Sequence, residues 1–85
     1  MNNSSEEFMI SEEEIRQRLR ESMSNRKLTH RGIAKRLFIS ECSVDYYCEG
    51  RRKLPIGFVA SYADQYKVDL NWLILGKGED NAKSN

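Results

Sequence analysis

The chain has 85 residues, 39% of them hydrophobic and 32% charged, with 14 Lys and Arg against 13 Asp and Glu. Chains this short bury only about 60 per cent of their unfolded surface, so one domain with one modest core is expected. No run approaches the roughly 18 apolar residues that cross a bilayer, and the opening MNNSSEEFMI has neither the basic nor the apolar region of a secretory signal, so a cytoplasmic protein with no membrane partner is expected.

The opening residues, 1–9, are polar and without periodicity and are expected to form a flexible tail. A first helix starts at Ser11, a good N-cap, with Glu14 at the capping-box position and Ile10 and Ile15 at the staple positions. Glu12 and Glu13 favour the positive end of its dipole. Ile15, Leu19 and Met23 form its apolar stripe. Thr29 then caps a short second helix through Leu37, with Ile33, Ala34 and Leu37 turned inward and Arg31, Lys35 and Arg36 outward. Gly32 costs that helix about 1 kcal/mol relative to Ala.

Ser40 caps a third helix at once, between Ile39 and Val44 at the staple positions, and Gly50 stops it. Stepping about 100° per residue from Glu41 puts Val44, Tyr47 and Cys48 on one face and Cys42, Asp45, Tyr46 and Glu49 on the other. After the basic loop Arg51–Lys53, Pro55 suits the first turn of a fourth helix with Val59, Tyr62, Ala63 and Tyr66 inside. Asp69 caps a last short helix with Leu70, Trp72 and Leu73, and Gly76 ends it. No strand pattern interrupts these elements, so the expected fold is all-α with five helices over 10–76 and a flexible tail at 77–85.

Chemistry of catalysis and metal binding is hard to build from these residues. Cys42 and Cys48 stand about 240° apart on one helix and cannot bridge within it. With His30 the only histidine, there is no zinc set and no nucleophile–base pair, nor is there a phosphate-binding glycine loop. No enzyme, cofactor or small-molecule ligand is expected. The charges, by contrast, are sorted. Residues 1–14 carry five glutamates and no base, whereas residues 26–53 carry eight basic residues against Glu41, Asp45 and Glu49, a net of +5. A basic block in the middle of a domain is the footprint of a polyanion partner.

The separated segments LTHRGIAKRL, ISECSVDYYCEGRRKLP and YADQYKVDLNWLILGKGE resemble the Cro and CI repressor-like helix-turn-helix family, also called XRE-like or lambda-repressor-like, across about Ile15 to Gly78. The stretch from Val68 to Gly76 is similar to phage-type repressors. The resemblance implies a bacterial or phage-encoded, nucleoid-associated transcriptional regulator that binds a double-stranded DNA operator as a homodimer, without a cofactor. It implies base contacts from Glu41, Cys42, Ser43 and Tyr46 at the start of the third helix. It places His30 and the basic residues Arg51, Arg52 and Lys53 on phosphates, with Arg31 and Lys35 as candidates for the same role.

Two positions depart from the family pattern. Phe38 stands where a turn glycine is common, and a positive φ there strains a bulky residue. Cys48 replaces a customary glutamate. Asp45 is expected to be solvated or to pair with Arg52, and Glu41 either to support the helix dipole or to accept from a cytosine amino group. The apolar surface of Trp72, Ile74 and Leu75 is a candidate dimer contact. The alternative function is a protein-interaction module, an antirepressor or adaptor, whose acidic third helix meets a basic partner.

Overall fold

The computed structural model describes residues 10–82. Among them are five helices and no strand: α1 (Glu12–Asn25), α2 (His30–Leu37), α3 (Glu41–Glu49), α4 (Ile56–Tyr66) and α5 (Leu70–Leu75). The expected tail over 1–9 lies outside the described residues. No helix among those described is long and apolar enough to cross a membrane.

Helix starts follow local side-chain chemistry. The hydroxyls of Ser11, Thr29 and Ser40 accept the amides of Glu14, Gly32 and Ser43 at 3.2, 3.0 and 3.0 Å, and the Asp69 carboxylate accepts Asn71 N at 2.9 Å. Each satisfies one of the amides left without a partner at a helix N-terminus. Pro55 sits just before α4 and supplies no side-chain cap, one residue earlier than the sequence suggests. A Cβ at Gly32 would lie 3.2 Å from Thr29 Oγ1, so the glycine leaves room for the α2 cap.

Helix ends are less local. Four of the five helices close with the same bond, from the amide after a left-handed residue to the carbonyl five positions back: Leu28 N to Met23 O, Ile39 N to Ala34 O, Arg51 N to Tyr46 O and Val68 N to Ala63 O. Only one of those four left-handed residues is glycine, Gly50; the others are Lys27, Phe38 and Lys67. Phe38 has φ 60° and ψ 43°, so the turn keeps the conformation a glycine would take, and the phenyl ring is 94% exposed. The backbone strain therefore stands with no burial to offset it.

Leu19, Ile33, Val44, Tyr62 and Leu73 form the centre of the core, all at 0% exposure, with Met23, Cys48 and Trp72 around them. α1 packs on α3 and α5, and α2 packs on α3 and α4. Within that core the Tyr62 hydroxyl meets Ser22 Oγ at 2.7 Å, and burial pushes the phenol up to about 12. Leu70 is 45% exposed, whereas Trp72 is buried and belongs to the core.

Residues 79–82, read from sequence as part of a tail, are docked. Asp80 is buried and accepts from Asn25 Nδ2 and from Arg26 Nη1 at 2.9 Å, while Asn81 accepts from Arg26 Nη2 and Asp69 N and donates to Lys67 O. This strap ties the chain after α5 back to the end of α1. A polar composition did not signal it, because its stability comes from hydrogen bonds to Arg26 rather than from apolar area.

Candidate nucleic-acid interface

The short link Phe38–Ser40 joins α2 to α3, and Val44 and Cys48 anchor α3 from beneath. Its outer side stands clear of the fold: Glu41, Cys42 and Glu49 are exposed, and Asp45, Tyr46 and Ser43 are half-buried. Cys48 lies in the core with its thiol against Met23 Sδ, and burial pushes it up to about 11, so it stays protonated and unreactive.

Side chains on this face are organised in two rows. Glu41, Asp45 and Glu49 lie four residues apart. Asp45 Oδ1 stands 2.5 Å from His30 Nδ1, which ties the first residue of α2 to the middle of α3. Glu49 pairs with Arg51 at 3.1 Å. Asp45 therefore does not pair with Arg52, as the sequence suggested, because His30 reaches it first across the angle between the two helices.

The second row is Cys42 and Tyr46. A hydrogen bond with the Cys42 thiol, followed by that group's charge, holds the Tyr46 hydroxyl above the ordinary phenol range, against the opposing pull of Arg51 and Arg52. Arg52 lies over the Tyr46 ring at 4.7 Å from its centroid, and Arg51 at 5.7 Å. Stacking holds the Arg52 guanidinium beside α3 instead of leaving it to wander in solvent.

Lys53, Arg31 and Lys35 are exposed. Arg36, also exposed, is turned away, its guanidinium bonded to Gln65 and 5.2 Å from the Tyr66 ring. Ser43 is engaged at the helix cap, accepting from Ser40 Oγ at 2.9 Å.

What holds α3 and its basic loop in place comes from α1, and sequence reasoning missed it. The last turn of α3 has no basic residue of its own. Arg16, buried at 6% exposure, donates through Nε to Tyr47 O at 2.7 Å and through Nη2 to Arg52 O at 3.4 Å. It is held by Glu12 at 2.7 Å and Glu13 at 3.0 Å, while Glu12 Oε2 also accepts Leu54 N at 3.0 Å. That backbone bond first, and Arg16 second, lower the Glu12 carboxyl below its usual range. Arg20 adds a bond to Cys48 O.

Two cations thus face the negative end of the α3 dipole, where positive charge is favoured. The loop is pinned at its far end, where Glu12 accepts Leu54 N. Arg18 does the same for α5, donating to Leu73 O and Ile74 O at 2.8 Å. A usable signal existed: Arg16 sits beside Ile15 and three residues before Leu19, on the edge of the buried stripe, where an arginine needs acceptors.

Two shallow hollows of about 200 and 210 Å³ flank α4, one lined by Leu37, Ile39, Tyr47, Pro55 and Phe58, the other by Ile10, Ile15, Leu54, Ile56 and Ile74. Neither gathers convergent polar groups of the kind a small-molecule site needs. Among the described residues no cluster of His, Cys, Asp and Glu could hold a metal ion. Neither a family model, nor a curated protein, nor a solved structure matches the chain.

Proposed function

We propose that α2 and α3 form the helix-turn-helix of a sequence-specific double-stranded DNA-binding regulator, with the outer side of α3 entering the major groove and the Arg51–Lys53 loop lying on phosphates. The observation that carries the reading is the union of an exposed helix face with a cationic loop: α3 exposes its outer face while Arg16 holds its last turn and Glu12 pins the end of the loop beside it. A helix reads base edges only if its approach to the duplex is set by backbone contacts, and a pinned cationic loop provides them.

In this arrangement Glu41, Cys42 and Tyr46 occupy the leading and central outer positions of α3. His30, Arg31 and Lys35, at the start of α2 and along it, flank the groove. A homodimer would present two such helices to half-sites about one helical turn apart. The alternative reading, an adaptor whose acidic α3 meets a basic partner, is weakened because two of its three carboxylates are already engaged by His30 and Arg51.

Duplex affinity measured across salt concentrations tests the reading. Each neutralised phosphate contributes about 0.9 to the slope of log affinity against log salt. Changing Arg51, Arg52 and Lys53 together to Ala is expected to lower the slope by about 2 to 3. An unchanged slope would refute the assignment of that loop.

A further inference from the structure

Two arginines of the loop after α3 stand near one tyrosine ring, and they are held in different ways. Arg51 Nε donates to Glu49 Oε1 at 3.1 Å, so its charge is already matched, and its guanidinium lies 5.7 Å from the centre of the Tyr46 ring. Arg52 lies closer, at 4.7 Å. Its guanidinium has no carboxylate or carbonyl acceptor among the described residues. Its backbone carbonyl, in turn, accepts from Arg16 Nη2 at 3.4 Å.

Ion pairing and stacking leave a guanidinium in different states. A carboxylate takes N–H donors and cancels charge. An aromatic ring takes the flat face of the group and leaves its charge and its N–H donors unspent. An arginine fixed by a ligand loses rotamer freedom, and one already stacked has lost part of it beforehand. The tyrosine is itself anchored, because its hydroxyl meets the Cys42 thiol one turn earlier on α3. We infer that Tyr46 is a positioning residue, whose ring holds the Arg52 guanidinium ready for a phosphodiester oxygen of the duplex, and that it does not read a base. This rests on the DNA-binding reading above, and gives Tyr46 a part in affinity instead of in sequence choice.

The two arginines are then unequal partners for a phosphate. Arg51 must give up its bond to Glu49 or share it, whereas Arg52 gives up nothing. Tyr46 is half-buried and Arg52 exposed, and a cation over a ring at such a site shifts an equilibrium by about two- to fivefold. That factor bounds what the ring contributes to duplex affinity, and it is the same for every base sequence, since phosphate contacts carry no sequence information directly.

The experiment measures duplex binding across salt concentrations for the full chain, Tyr46→Phe, Tyr46→Leu, Arg51→Ala, Arg52→Ala and the Tyr46→Leu/Arg52→Ala pair. Base preference of the two tyrosine variants is read by selection from a randomised duplex pool. The stack itself is read without DNA, as an upfield ring-current shift of the Arg52 side-chain protons that Tyr46→Leu removes and Tyr46→Phe keeps. Tyr46→Phe is expected to bind about as the full chain does, and Tyr46→Leu about two- to fivefold more weakly with the same base preference. That loss is expected to vanish once Arg52 is Ala, as coupled residues require, and Arg52→Ala to cost more affinity than Arg51→Ala. A changed base preference in Tyr46→Leu, an undiminished loss beside Arg52→Ala, unchanged or tighter binding by Tyr46→Leu, or no ring-current shift overturns the positioning role alone. Absence of salt-dependent duplex binding by the full chain overturns the DNA-binding reading with it.

Discussion

Replacing Arg16 with Met keeps the aliphatic stem in its buried channel and removes the guanidinium that reaches Tyr47 O and Arg52 O. The ion pairs contribute little to the cost, because the Glu12 and Glu13 side chains are 44% and 58% exposed and rehydrate when released. The larger loss is the charged donor on the Tyr47 carbonyl, a bond of the class contributing about 1.5 to 3 kcal/mol. The contact to Arg52 O at 3.4 Å is long and adds little.

A loss of about 2 kcal/mol corresponds to a fall in Tm of roughly 8 to 16 °C for a domain of this size. Urea and thermal denaturation followed by circular dichroism would measure it. Under the proposed DNA-binding reading, duplex affinity taken well below the new Tm is expected to fall by a similar factor for every sequence, since phosphate contacts position a complex and do not read bases. A change below about 0.5 kcal/mol, the range of ordinary surface substitutions, would refute the claim that this arginine holds α3 to α1.

Phe38→Gly relieves left-handed strain of roughly 1 to 2 kcal/mol against a glycine entropy cost of about 0.5 to 1 kcal/mol. With the ring 94% exposed, little packing is lost, so the urea midpoint is expected to rise; a lower midpoint would mean the ring packs in solution. Burial alone would raise the Asp80 carboxyl, but the bonds from Asn25, Ala82 and Arg26 outweigh it and hold it below its ordinary value. Its contribution is then complete above the unfolded value of about 3.9 and is lost as pH falls through the lower folded value. Stability measured between neutral pH and about pH 2 is expected to drop more steeply for the native chain than for Asp80→Ala, and parallel curves would remove the strap from the account.

Features that depend on neighbours in the chain were legible in it. The hydroxyl caps at Ser11, Thr29 and Ser40 and the carboxylate cap at Asp69 each use an amide two or three residues away, so the helix starts followed from local spacing. The outward side of α3 followed from its angular period. The partners within the candidate interface did not. Asp45 meets a residue 15 positions away, and Arg16 meets carbonyls 31 and 36 positions away. A charge pattern shows which ions exist but not which carbonyl or ring each will reach.

Helix number, helix starts and the polar face of α3 are properties of residues within one or two turns of each other, and short-range hydrogen bonding and apolar periodicity account for them. Tertiary packing alone decided two other matters: that an α1 arginine caps α3, and that Asp80 is drawn into the body of the protein. Each costs locally, through a desolvated cation or a desolvated carboxylate. Each persists because groups distant in the chain are brought within bonding distance only once the helices have packed.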